Sequence, residues 1–495
     1  MNNFSHLRQF FTLLGPLLFV LLLFVFPSSD LPAAARAVLG VTLWMAVWWV
    51  VEAVPISVTA LLPIVLFPLT EGVPLSATTA AYGHKYIFLY MGGFMLAIAI
   101  EKWNLHRRIA LHIIHAVGTD IQKIILGFML ATAFLSMWIS NTATSVMMLP
   151  IGAALIRQLE DNPEVSAEHV NAFGKILMLG IAYSASIGGL ATLIGTPPNL
   201  VLAGVISATY GIEISFLQWL QFGLPLSLVL LFSTWYYLTR YAFQLKMKAF
   251  PGGIKEIKRL KEALGPIGYE EKWVALVFGL TAFCWITRSY LLQPLFPAID
   301  DTIIAMLFGI VLFLLPSSAA GKKILHWEEA VKMPWGIILL FGGGMALAKG
   351  FDISGLATWI GGKMLLFKSL SYLLMILAII TFVNFLTEIT SNLATTAMLL
   401  PILAPLAMQL NLHPYPLLVG AAVAASCAFM LPVATPPNAV VFGSGYLKIS
   451  DMARTGILLN LFSILFILGM VVFCLPFLWE FDAFQFPHQF KINTK

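Results

Sequence analysis

The chain has 495 residues, 60% hydrophobic and only 10% charged, with a formal net charge of +5. Soluble domains carry about 25% charged residues, whereas apolar runs of roughly 20 residues, the length that spans a bilayer, recur along this chain. That excludes a soluble or nucleic-acid-binding protein, and the lack of short alternating segments excludes a β-barrel; the chain reads as an all-α polytopic membrane protein.

Spans are expected near 10–28, 34–51, 54–70 and 86–100, then a polar-tipped hairpin near 124–156 and spans near 174–206 and 217–241. The second half has expected spans near 272–291, 301–315 and 334–350, a second hairpin near 370–408, and spans near 415–443 and 455–479. The run Phe10 to Phe26 lacks a small-residue cleavage site and reads as the first span, not a signal peptide. Basic residues collect after the fourth span (Lys102, Arg107, Arg108, Lys123), between Arg240 and Lys272, and around Lys322, Lys323 and Lys332. The positive-inside rule puts these segments in the cytoplasm. Eleven crossings then leave the N-terminus cytoplasmic and the C-terminus outside the cell. The expected divisions are 1–33 (first span), 34–245 (first repeat), 246–271 (basic cytoplasmic linker, around Gly252-Gly253), 272–480 (second repeat) and 481–495 (extracellular tail).

The halves repeat one another. Gly92-Gly93-Phe94-Met95 matches Gly342-Gly343-Gly344-Met345 at an offset of 250, Ser140-Asn141 matches Ser391-Asn392 at 251, and Asn199 matches Asn438 at 239. The charge pattern gives the copies opposite orientations. Inverted repeats with interrupted helices near the midplane are a secondary-transporter design.

The duplicated motif carries the chemistry. Ser136-Met137-Trp138-Ile139-Ser140-Asn141-Thr142 in the first half corresponds to Thr387-Glu388-Ile389-Thr390-Ser391-Asn392-Leu393 in the second. Each is followed by Thr-Pro-Pro-Asn, at Thr196 to Asn199 and Thr435 to Asn438. Hydroxyls four residues apart share a helix face, and the adjoining amide adds another neutral oxygen. Unwound backbone at Gly195 and Ala434 supplies carbonyls, tolerated at membrane depth only where buried or lining a cavity. Such oxygens suit a hard monovalent cation such as Na⁺. The same helix restarts present free N–H groups and positive dipole ends to a carboxylate. Neither motif contains Arg or Lys, so co-bound sodium is the economical counter-charge for a dianion. One Ser-Asn-Thr alone is commonly interhelical glue; two in matching frames point to a binding site.

Other features are read as structural. Glu388 has Met137 as its counterpart and is expected to be a buried hydrogen-bonded group, with ion or substrate contact as the alternative. Glu52 is expected at a cytoplasmic helix end in a structural or interfacial role. The glycine runs at 92–93 and 342–344 read as sites of close helix packing. His112 and His115 lack a metalloprotease motif, the three cysteines have no CxxC spacing, and no nucleophile–base pair or metal cluster indicates an enzyme.

The segment Ala425 to Val441 (ASCAFMLPVATPPNAVV), the twin motifs, Trp48-Trp49 through Pro55 and Pro334-Trp335 through Gly344 together resemble the divalent-anion/sodium symporters. The resemblance covers nearly the whole chain and is greatest to bacterial sodium-coupled C4-dicarboxylate symporters. It implies a homodimer of scaffold and transport domains working by an elevator movement, with Na⁺ as the co-transported ion and succinate, fumarate or malate as substrate. It also implies one sodium site at Ser136, Ser140, Asn141 and the Gly195 backbone, and a second at Thr387, Ser391, Asn392 and the Ala434 backbone. Substrate would then contact Ser140, Asn141, Thr142, Thr196, Ser391, Asn392, Thr435 and Pro436. Leu393 departs from the family, placing an apolar group where many relatives have a threonine hydroxyl. An exchanger of the same fold and an anion channel stand as alternatives.

Overall fold

The computed structural model describes residues 2–24, 31–118, 120–243, 253–319, 321–364, 371–487 and 490. Among them the chain is helical, with no named strand and an isolated bridge between Pro316 and Lys323. Among the described residues, nine helices are long and apolar enough to cross a membrane.

The first half begins with α1 (Asn2–Phe24), α2 (Ala33–Val51), the short α3 (Ile56–Thr59) and α4 (Leu62–Leu69), then α5 (Leu75–Ala81) and α6 (Lys85–Lys102). It continues through α7 (Leu105–Val117), α8 (Ile121–Ser136), α9 (Asn141–Glu160), α10 (Ala167–Gly189), α11 (Pro197–Tyr210) and α12 (Phe216–Tyr237). After α13 (Gly253–Glu262), the second half runs through α14 (Tyr269–Thr287), α15 (Asp301–Leu314), the short α16 (Trp327–Ala330), α17 (Trp335–Ile353) and α18 (Leu356–Met364). It closes with α19 (Tyr372–Leu386), α20 (Asn392–Gln409), α21 (Pro414–Ala425), α22 (Pro436–Phe442), α23 (Ile449–Gly469) and α24 (Leu475–Leu478). From α6 and α17 onward the two halves share one order: long helix, short helix, hairpin, broken helix, long helix.

Several expectations need correction. The span read at 174–206 is two helices, α10 and α11, and that read at 415–443 is α21 and α22. Prolines at the first helical positions of α11 and α22 restart the helix but cannot donate to the turn before it. The helices α7 and α18 were not anticipated. In α7, Leu105, Ala110, Leu111 and Ile114 are buried on one stripe while Arg107 and His112 face outward, a helical pattern too short to register as a span. The segment read as a linker contains α13, whose Ile257 is buried and whose Arg259 pairs with Glu256 at 2.5 Å. Lys246, Lys248 and Gly252 of that linker lie outside the described residues, as do 491–495 of the expected tail. The described part of the tail is docked: Phe486 and Phe490 are buried, and Phe490 stacks on Tyr210 with ring centroids 5.2 Å apart.

The glycine runs serve close packing. A Cβ at Gly92 would lie 2.6 Å from the Ala305 backbone of α15, and one at Gly343 would lie 2.6 Å from the Ala60 carbonyl oxygen. Both contacts are to backbone, which cannot rotate away. Gly343→Ala is therefore expected to destabilise the protein by about 1–3 kcal/mol through overpacking, read as a lower melting temperature in detergent; an unchanged melt would refute this packing role.

Candidate functional site

The hairpin tips are built alike. Ser140 Oγ accepts the Ala143 N–H at 3.3 Å and caps α9, and Ser145 Oγ donates to the Asn141 carbonyl at 2.9 Å. In the second tip Thr396 Oγ1 donates to the Asn392 carbonyl at 2.7 Å. Behind each tip lies a buried hydroxyl. Ser136 Oγ is 2.6 Å from Asn141 Oδ1 and 2.6 Å from the Ala185 carbonyl; Thr387 Oγ1 is 2.7 Å from Asn392 Oδ1 and 2.8 Å from the Ala425 carbonyl.

A hydroxyl has one proton to donate, and Thr387 Oγ1 faces two acceptors with that one hydrogen. Around Asn141 the crowding is greater. The amide atom facing Ser136 is also 3.2 Å from both the Ala185 and the Gly195 carbonyl oxygens. Turning the Asn141 amide so that its nitrogen takes this place satisfies the cluster: it donates to Ser136 Oγ and to the Ala185 and Gly195 carbonyls. The Gly195 carbonyl reaches this cluster because no side chain intervenes: a Cβ at Gly195 would lie 2.5 Å from the Gly189 oxygen, and one at Gly189 would lie 2.6 Å from Asn141 Oδ1.

The two helix breaks, Leu190–Thr196 and Ser426–Thr435, are stapled by the asparagines of the Thr-Pro-Pro-Asn runs. Asn199 Nδ2 donates to the Gly189 and Thr192 carbonyls at 3.1 and 2.8 Å. Asn438 Nδ2 donates to the Ala428 and Leu431 carbonyls at 3.3 and 3.0 Å, the equivalent positions. Thr192 Oγ1 ties the first break to its hairpin by donating to the Met137 carbonyl at 2.5 Å.

In the second half Glu388 holds the break. Its carboxylate accepts N–H groups from Phe429 (2.8 Å), Met430 (3.0 Å) and Leu431 (3.0 Å) and the Asn460 amide (2.7 Å). It is buried and does not line the cavity described next. The longer second break leaves three successive N–H groups without helical partners, and a carboxylate has lone pairs for all of them. Tyr183 OH donates to the Phe429 carbonyl at 2.8 Å, joining this segment to α10.

Tips and breaks meet at one cavity of about 740 Å³. The first half contributes Ser140, Asn141, Thr142, Gly195 and Thr196, and the second Ser391, Asn392, Ala434, Thr435 and Pro436. Ser136 and Thr387 lie behind this wall, fully buried. The starts of α9, α11, α20 and α22 all face the cavity, so its wall carries positive dipole ends; the free first-turn N–H groups come from α9 and α20, because α11 and α22 each open with two prolines. No Lys or Arg is among the described residues lining it. Leu393 lines it as an apolar face; the neighbouring Thr390 hydroxyl is already engaged with Thr395 Oγ1 at 2.6 Å and the Leu386 carbonyl at 2.9 Å.

Motif reading missed Ser57 and Tyr90, which also line the cavity, and gave no sign that Glu52 lines it. Glu52 does end a helix, but it is exposed into this cavity. None of the three belongs to a duplicated motif, so repetition gave no signal for them.

The role of Glu388 is testable by stability. Glu388→Ala strands the Met430 and Leu431 N–H groups in a buried site at about 1–3 kcal/mol each, while the Phe429 N–H keeps Asn460 Oδ1 at 3.2 Å, so thermal melting is expected to fall sharply. A melt within a degree of the parent would refute this bracing role.

The geometry can be set beside known proteins. Residues 7–479 match the family model described as "Sodium:sulfate symporter transmembrane region". The chain is 47% identical over 479 residues to a protein of Staphylococcus saprophyticus named "Sodium-dependent dicarboxylate transporter SdcS", covering 96% of this chain and 92% of that one. It is equally similar, 47% over 479 residues with the same coverage of 96% and 92%, to the protein of that name from Staphylococcus aureus USA300. Among solved structures, the YdaH transporter of Alcanivorax borkumensis superposes with a TM-score of 0.57 at 13% identity, covering 89% of this chain and 98% of that one. MtrF of Neisseria gonorrhoeae superposes with a TM-score of 0.56 at 12% identity, covering 80% and 83%. These two likenesses establish the fold alone. With the family model spanning nearly every helix, including both hairpins and both breaks, this chain belongs to the sodium:sulfate symporter family.

Proposed function

We propose that this protein is a sodium-coupled symporter that imports small dicarboxylates such as succinate, fumarate or malate across the cytoplasmic membrane. The observation that carries the reading is the pair of equivalent hydroxyl–asparagine–carbonyl clusters, Ser136–Asn141–Ala185 and Thr387–Asn392–Ala425, behind a cavity whose described lining residues include no Lys or Arg. One Na⁺ is held by Ser136, Ser140, Asn141 and the Gly195 carbonyl, and a second by Thr387, Ser391, Asn392 and the Ala434 carbonyl. The dicarboxylate sits between them on Ser140, Asn141, Thr142, Thr196, Ser391, Asn392, Thr435 and Pro436. Two sodium ions offset its charge, so substrate binds well only when sodium does. The names of the relatives support sodium and dicarboxylate as the transported pair.

The two halves act as inverted repeats, with eleven crossings, two re-entrant hairpins, a cytoplasmic N-terminus and an external C-terminus. The cavity lining includes the end of α2 and the start of α17, both cytoplasmic in this topology, which supports reading the cavity as open toward the cytoplasm. The hairpins and broken helices move as one transport domain against a scaffold in an elevator movement, and the protein works as a homodimer.

Labelled succinate uptake into proteoliposomes tests this. Uptake is expected to require an inward Na⁺ gradient; uptake that ignores Na⁺ but requires internal dicarboxylate would mean exchange, and non-saturating flux would mean a channel. Asn141→Ala and Asn392→Ala each remove a contact to a charged ligand, worth about 1.5–3 kcal/mol, and are expected to cut sodium-driven uptake at least about tenfold without loss of expression. Ordinary sodium-dependent kinetics in either variant would refute the assigned roles.

A further inference from the structure

Glu52 is the one carboxylate among the described residues lining the cavity, and no Lys or Arg accompanies it there. It is exposed, and none of the ion pairs among the described residues includes it. It forms the C-cap of α2 in left-handed conformation, with φ 47° and ψ 43°. Local stability argues against an acid at this position. The left-handed cap favours glycine or asparagine, and a carboxylate at a helix C-terminus opposes the dipole. An anion in the vestibule of an anion site also repels the cargo. Three unfavourable terms at one residue call for a compensating role.

We propose that Glu52 enforces coupling as a fixed negative charge that draws Na⁺ into the cavity and repels dicarboxylate arriving without its sodium complement. This rests on the sodium–dicarboxylate reading above. A charge of minus one favours each sodium that enters the empty site. It disfavours a dianion by the same Coulomb interaction, doubled. For two sodium ions plus one dianion the contributions cancel, so the fully loaded site is unaffected. Only partly loaded states are altered: sodium alone is favoured and dianion in excess of sodium is disfavoured. Glu52 is thus a specificity-determining residue that acts through the potential of the cavity, without ligating either ion.

The test is equilibrium binding of ²²Na⁺ and labelled succinate to the purified full-length protein in detergent, comparing the parent with Glu52→Gln, Glu52→Asn and Glu52→Asp. In Glu52→Gln, sodium binding without succinate is expected to weaken about three- to tenfold, and succinate binding at saturating Na⁺ to tighten by a comparable or larger factor. Both shifts are expected to shrink when choline chloride raises the ionic strength, and Glu52→Asp is expected to behave like the parent. Glu52→Asn makes the same charge change with a side chain suited to left-handed backbone, and is expected to melt higher; it serves if the glutamine variant folds poorly. Opposite shifts in the two affinities establish the proposal. Affinities that fall together, or stay unchanged while the parent binds succinate with Na⁺, overturn it. A parent that binds no succinate in the presence of Na⁺ overturns the transport reading, and this inference with it.

Discussion

Everything in this fold depends on satisfying peptide groups where two helices are broken inside an apolar core. Such a group left unpaired in hydrocarbon costs several kcal/mol. Asn199 and Asn438 meet this demand by reaching back to carbonyls ten and seven residues earlier, each from the first turn of the helix that resumes. The two staples share one geometry because the same four residues, Thr-Pro-Pro-Asn, restart each helix. With the breaks held open, the Gly195 carbonyl turns toward the Asn141 amide and away from a helical partner.

The halves reach the same cavity by different means, and the difference traces to the length of each break. The first is short and is anchored by Thr192 to the adjacent hairpin. The second is longer, and its run of N–H groups at Phe429, Met430 and Leu431 is gathered by the buried Glu388, itself steadied by Asn460. An intramembrane acid, commonly a sign of a proton or ion path, is here an acceptor for backbone donors. The hydroxyl–asparagine–carbonyl clusters remain equivalent despite this.

Charge is distributed to match. Ion pairs join separate elements: Lys102 with Glu329 at 2.7 Å, Arg108 with Glu271 at 2.5 Å, Lys175 with Asp451 at 3.0 Å. Glu213, between α11 and α12, takes both Lys85 at 2.8 Å and Arg288 at 2.7 Å. Burial alone would raise its carboxyl, but hydrogen bonds from these two cations outweigh that and hold it below the ordinary carboxylate range. Among the described residues, the cavity is lined by neutral oxygens, helix starts, apolar side chains and one acid, Glu52, with no Lys or Arg.

The sequence by itself determined the class of protein, the duplicated motifs and the residues that line the cavity from the hairpins and breaks. Those features are local: apolar run length reports on bilayer thickness, and Thr-Pro-Pro-Asn forbids a continuous helix wherever it lies. Short helices such as α7 and α18 escaped notice because their apolar stripes are shorter than a span, and α10 and α11 merged into one expected span because apolar content continues across the break. Only the tertiary structure decided that Glu388 faces backbone N–H groups, that Ser57 and Tyr90 complete the cavity, and that Glu52 opens into it. Each of these depends on which distant segment packs opposite, a contact between helices far apart in the chain that neither periodicity nor repetition encodes.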